Sequence, residues 1–271
     1  MTRQYCHIGS RTIAYLDSAP GNTKLRTYVL LHAFPIGANL WEPQMRNIPA
    51  GWRLITPDLR GFGGSTELDS VTASSMSDYA DDVGDLLDEL GIERVVIGGA
   101  SMGGYATFAF VQKSGDRVDA LVLANTRATA DSPEARANRR NMLALVDREG
   151  PSGVAREMMP KLLGTTTRDT NPEVEATVRR LIKQQSPLAI RAAIHRMMHR
   201  PDSTPLLAHV TVPTLVVTGE EDALIPIEES RAIAAAVKGA TLTVIPKAGH
   251  LSNLEQPDAF NDALNTFLMK L

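Results

Sequence analysis

Six short runs rich in apolar and β-branched residues punctuate the chain, at 28–31, 53–56, 94–98, 120–124, 214–218 and 241–245. The first, 28–31, is too uniformly apolar to have a wet face, as expected of a strand buried on both faces, and 53–56 reads as a second such strand. Between the six runs the period lengthens toward 3.6. Over 76–90, Tyr79, Val83, Leu86, Leu87 and Leu90 share one face, acids lie opposite, and Gly91 supplies the stop. Further helices are predicted over 102–113, 227–237 and 257–271, and Trp41, Met45 and Ile48 predict the apolar side of a short one. Ahead of all this, residues 3–8 and 12–17 alternate around Gly9 and Ser10, which predicts an antiparallel hairpin at one edge. Strand and helix in this rhythm imply a mostly parallel α/β sheet of about eight strands with helices on both faces.

The rhythm breaks at Asn125. From Arg127 to Leu207 no strand pattern occurs, only helical segments punctuated by Gly150-Pro151, Gly164, Pro172 and Pro187; Ser132 before Pro133 and Glu134 reads as a helix cap. Each such helix has one apolar face and needs the body to cover it. The expected organisation is therefore a core made of 1–126 and 207–271, with 127–206 inserted after the sixth strand as an all-helical cap, or lid. Met142, Met158, Met159, Met197 and Met198 fall in the insertion, as core filling or as a soft pocket lining.

The run from Val95 to Ala106, VVIGGASMGGYA, carries the candidate chemistry. It places Ser101 between Gly99 and Gly103 where a strand turns into a helix, the pattern Gly-x-Ser-x-Gly. A serine pushed out of the sheet edge leaves no room for side chains two residues to either side. Taken alone, the motif also fits a tight packing turn. A phosphate loop is disfavoured, because neither Gly-Lys-Ser/Thr nor Gly-x-Gly-x-x-Gly follows the strand.

A serine nucleophile needs a base, and the base needs a carboxylate. Past the strand 214–218 comes TGEEDALIP, with Asp222, and past 241–245 comes IPKAGHLSNLEQP, with His250. Both loops leave the carboxyl ends of parallel strands, the edge where open sheets place their sites. Asp222 is preferred to Glu220 and Glu221, with Pro226 shaping the turn behind it. His7, His195, His199 and His209 read as exposed or satisfied polar residues. His195 and His199 have helical metal-ligand spacing, but no third ligand accompanies them.

Five stretches in order, LLHAFPIGANLWEPQ, ITPDLRGFGGS, VVIGGASMGGYA, TGEEDALIP and AGHLSNLEQP, resemble the α/β-hydrolase superfamily. Within it the chain is similar to small serine carboxylesterases, 3-oxoadipate enol-lactonases and cofactor-free haloperoxidases or perhydrolases. The inserted segment is most similar to that of bacterial short-chain carboxylesterases. The resemblance implies a catalytic Ser101, Asp222 and His250, an oxyanion hole from the backbone N–H groups of Phe34 and Met102, and no cofactor or metal. His32 then braces the loop. Where the family has glycine after that histidine, this chain has Ala33, which is compatible only with a negative φ. The implied reaction is cleavage of short to medium carboxylic esters by an acyl-enzyme route. Lactone or carbon–carbon hydrolysis, with perhydrolysis as a side activity, is the alternative, and a hydrolase-fold receptor with little turnover is a reading of another class. A dehalogenase would need a carboxylate at position 101.

A net charge of −3 gives no long-range pull on nucleic acid or an anionic membrane. The single Cys6 excludes an intrachain disulfide and reads as a small apolar residue of the first strand. With no apolar segment of leader or membrane-spanning length, a cytoplasmic protein is expected. Its expected partners are a small-molecule ester and water, and its state is monomer or weak homo-oligomer.

Overall fold

The hairpin forms as its alternation predicts: β1 (Gln4–Ile8) pairs antiparallel with β2 (Arg11–Asp17), and Cys6 is buried opposite Ile13. The computed structural model describes residues 2–66 and 75–271. The six runs become β3 (Arg26–Leu31), β4 (Trp52–Pro57), β5 (Val95–Ala100), β6 (Val118–Ala124), β7 (Thr214–Gly219) and the largely exposed edge strand β8 (Thr241–Ile245). All eight join one sheet in the order β1-β2-β4-β3-β5-β6-β7-β8, parallel from β4 onward. Strand β6 starts two residues earlier than its apolar run, because Val118 pairs with Val95 across a register shift. In β4 the buried Arg53 is compensated by a two-pronged ion pair to Asp17, at 3.0 and 2.6 Å.

Helices flank the sheet. On one side α2 (Met76–Glu89) packs on α3 (Met102–Ser114), and α2 opens with a reciprocal capping box between Ser75 and Asp78. Elsewhere α1 (Glu42–Met45) packs near α10 (Ser252–Glu255) and α11 (Pro257–Leu268), with Trp41 against Phe260. Two helix ends differ from expectation. Ile48 lies outside α1, because the helix stops at Met45 in a turn leading to Pro49, whose ring disfavours helical backbone at the residue before it. Helix α11 stops at Leu268, and its last residues tighten into i→i+3 turns.

Between β6 and β7 lie only helices: α4 (Pro133–Leu162), α5 (Thr165–Thr170), α6 (Pro172–Lys183), α7 (Pro187–Met198) and α8 (Thr204–Leu207). The Ser132 hydroxyl accepts from the Ala135 N–H at 3.1 Å, and Pro172 and Pro187 open α6 and α7. Gly150-Pro151 punctuates this stretch as expected: Gly150, at φ 60°, ψ −160°, is not helical, so α4 is two helices joined at a kink there. The first helix after β7, α9, spans Ile227–Ala236. Among the described residues no helix is long and apolar enough to cross a membrane.

Candidate active site

The centre of the sheet explains the elbow. Strand β5 lies between β3 and β6, and at the turn out of it Ser101 adopts φ 52°, ψ −112°. Such backbone in a non-glycine residue costs on the order of 1–3 kcal/mol and persists where its surroundings hold it. Here the Ser101 N–H donates to Ala124 O (2.9 Å), while its carbonyl accepts from the Gly104 N–H (2.9 Å) and the Thr126 hydroxyl (2.8 Å). The predicted need for small residues is met. A Cβ on Gly99 would stand 2.4 Å from the Gly103 carbonyl carbon, and one on Gly103 would stand 2.1 Å from Leu31 O. That second contact presses the start of α3 onto the end of β3.

Because β5 to β8 are parallel and adjacent, their carboxyl ends deliver Ser101, then Asn125, Asp222 and His250 to one edge. His250 and Asp222 meet there. The ring Nδ1 lies 2.8 Å from Oδ2 and 3.1 Å from Oδ1 of the carboxylate, and both side chains are buried. Oδ1 also accepts from the Leu224 and Ile225 N–H groups, at 2.8 and 3.0 Å. Burial pushes the Asp222 carboxyl up, but the adjacent His250 ring and the donors from Asn125 and Ile225 outweigh it and hold it below its usual range. An ionised Asp222 fixes the proton of His250 on Nδ1 and leaves Nε2 free to accept one.

Asn125 escaped the sequence reading. At φ 46°, its Nδ2 donates to Asp222 Oδ2 (2.9 Å) and to Gly249 O (3.2 Å), and its Oδ1 accepts from the Ser252 hydroxyl (2.6 Å). One amide therefore ties the acid to the His250 loop. Glu255 is a second such tie: buried, it accepts from the N–H groups of Leu251 (3.1 Å) and Gly164 (2.7 Å), and burial raises its carboxyl despite these donors.

The other candidates lie elsewhere. Glu220 accepts from the Lys247 N–H, and Glu221 from the Thr166 N–H and hydroxyl at the start of α5, so neither meets His250. His7 is exposed and bonds Thr12. His195 and His199 stack with ring centroids 6.1 Å apart, and no cluster of three metal-ligating side chains occurs among the described residues.

His32 is a brace: its Nδ1–H donates to Ala33 O and its Nε2 accepts from the Leu59 N–H, both at 3.0 Å. Ala33 is not among the residues of positive φ, so its methyl is accommodated ahead of Phe34. Burial holds the His32 ring down to about 4 from an ordinary 6.5. In this window the unfolded chain takes up a proton that the folded chain refuses. Stability is therefore complete above pH 6.5 and falls toward pH 4, by about 3 kcal/mol from this group. Chemical denaturation of the wild type across pH 4–7 should show that loss, and His32→Asn should remove this part of the slope.

The sequence from residue 28 to 257 matches the family model described as alpha/beta hydrolase fold. A thermophilic esterase from Thermogutta terrifontis is 39% identical and superposes with a TM-score of 0.92 over 100% of this chain and 99% of that one. The enol-lactonase from Burkholderia xenovorans is 25% identical, with a TM-score of 0.89 over 98% and 100%. A 2-hydroxy-6-oxononadienedioate/2-hydroxy-6-oxononatrienedioate hydrolase of Klebsiella pneumoniae is 28% identical over 97% of this chain and 93% of its own length. Matched by that family model over residues 28–257 and by these structures over nearly its whole length, the chain belongs to the α/β-hydrolase family and is a hydrolase.

Proposed function

We propose that this hydrolase is a serine carboxylesterase acting on esters of short to medium acyl chain, with Ser101, His250 and Asp222 as its triad. The observation that carries the reading is the 2.8 Å bond from His250 Nδ1 to a buried Asp222, at the sheet edge that also presents Ser101. His250 Nε2 takes the Ser101 proton as Oγ attacks the ester carbonyl. The backbone N–H groups of Phe34 and Met102 hold the oxyanion, each worth about 3 kcal/mol of barrier. The imidazolium protonates the departing alkoxide, and water attacks the acyl-enzyme in the same geometry to release the acid and restore the serine. Helices α4 to α7 act as the lid: a cavity of about 480 Å3 along α4 is floored by Phe34, one of the two oxyanion residues of this reading, and by Leu224 of the acid loop. Its Met142, Leu145 and Met158 give an adaptable apolar wall. The 39% identity to an esterase favours esters.

Relatives that include an enol-lactonase and a carbon–carbon hydrolase support lactone opening as a second reading. Hydrolysis of p-nitrophenyl esters from acetate to octanoate, beside an enol-lactone, separates the two. Short-chain esters are expected to be turned over many times, with neighbouring chain lengths separated by no more than about 1–3 kcal/mol per methylene. An enol-lactone opened at rates far above any ester would overturn the esterase assignment, and a single turnover with retained product would favour the receptor.

A further inference from the structure

We infer that the substrate of this site carries an anionic group, a carboxylate remote from the scissile carbonyl, received by guanidinium groups on α4. The inference deepens the esterase reading and rests on it. The kink at Gly150 divides α4 into two helices that both line the cavity, with Arg139 and Arg148 on the first and Glu157 and Lys161 on the second. Glu157 and Lys161 cancel, since they pair at 3.5 Å. The two arginines are not cancelled. Asp131, wholly buried, is shared by Arg200 (2.6 Å), Arg139 (3.1 Å) and Arg127 (3.3 Å), while Glu149 is shared by Arg156 (2.5 Å) and Arg148 (3.8 Å). The cavity lining itself carries Arg139, Arg148, Lys161 and Glu157, a balance of two positive charges, and the carboxylates on which Arg139 and Arg148 rest are shared with other guanidiniums.

Geometry agrees with the charge count. Arg139 reaches Asp131 through Nε, so its outer amino groups are not spent on that carboxylate. Arg148 is 64% exposed and its pair with Glu149 is long, so in water that pair holds it weakly. A guanidinium presents parallel N–H groups that match a carboxylate. The apolar residues between these charges and the Phe34 floor would cover a methylene chain. The arrangement suits a monoester of a dicarboxylic acid, with the ester at the floor and the free acid at the arginines.

The test compares mono-p-nitrophenyl adipate with p-nitrophenyl hexanoate, which are alike in reach and differ in the terminal carboxylate. The wild-type ratio of kcat/KM, charged over neutral, should exceed one and fall as salt is raised. In Arg148→Glu the ratio should fall by on the order of tenfold, within the range by which charged clefts alter encounter rates. Arg139→Gln should act in the same direction; if its half-buried site costs folding, the exposed Arg148 variant still decides. A ratio within about twofold of wild type in Arg148→Glu overturns the inference. Should wild type hydrolyse neither ester, the esterase reading fails by itself. Adipate then decides the inference: a higher thermal midpoint in wild type, absent from Arg148→Glu at equal ionic strength, supports it, and no shift in either overturns it.

Discussion

Replacing Ser101 with alanine is expected to lower kcat for p-nitrophenyl butyrate by on the order of 10^5–10^6, while the fold is retained. Members of a nucleophile–base unit act together, so removing one forfeits nearly all of what the unit provides. What remains is the background supplied by binding and by the oxyanion donors. The structural cost should be small. Alanine keeps the Cβ, so the conformation at φ 52° is no worse, and the bonds that hold the elbow use the backbone of residue 101, not its hydroxyl. The thermal midpoint should therefore stay within about 2 °C of wild type, corresponding to roughly 0.5 kcal/mol in a domain of this size. Active-site titration with a p-nitrophenyl ester should give a burst in wild type and none in the variant. A Ser101→Ala protein retaining more than about a tenth of wild-type kcat would remove Ser101 from the chemistry.

Which features were legible in the chain follows from how local their physics is. Parallel strands buried on both faces cannot alternate, so β3, β5 and β7 stood out as uniform apolar runs. The elbow was legible for a steric reason, the Gly99 and Gly103 approaches to neighbouring backbone. Asp222 and His250 followed from the rule that site loops leave the carboxyl ends of adjacent parallel strands. Asn125 did not follow. It marked the break in rhythm, but its partner Asp222 is 97 residues away, and neither periodicity nor a cap connects the two. Its usable signal was position, an amide side chain directly beyond β6 on the edge already assigned to the site. The break inside α4 was legible as the punctuation at Gly150-Pro151, whereas the direction of the second helix depends on what the two halves pack against. The sharing of Asp131 was invisible for the same reason, because Arg200, 69 residues away, is brought onto that carboxylate beside Arg127 and Arg139 only by the fold.

Asp222→Asn should lower kcat by on the order of 10^4, and the reason lies in how its two oxygens are used. Oδ1 accepts from two backbone N–H groups, of Leu224 and Ile225, that cannot rotate away. The introduced amide must put its oxygen there, and its NH2 consequently takes the place of Oδ2. That place faces His250 Nδ1 at 2.8 Å and the Asn125 Nδ2 donor at 2.9 Å. Facing a donor, the ring places its proton on Nε2, where it can no longer accept one from Ser101. Facing Asn125, the new NH2 meets another donor, and an unsatisfied buried donor costs about 1–3 kcal/mol. The activity loss and the stability loss thus have different origins and separate in a second variant. Adding Asn125→Asp returns an acceptor to the introduced amide and should recover part of the stability in denaturant melts, since Gly249 O still loses its donor. It leaves the proton of His250 on the wrong nitrogen, so kcat should stay low. Recovery of kcat together with stability in the double variant would show that Asp222 serves only to hold the loop, and would refute its assignment as the orienting acid of the triad.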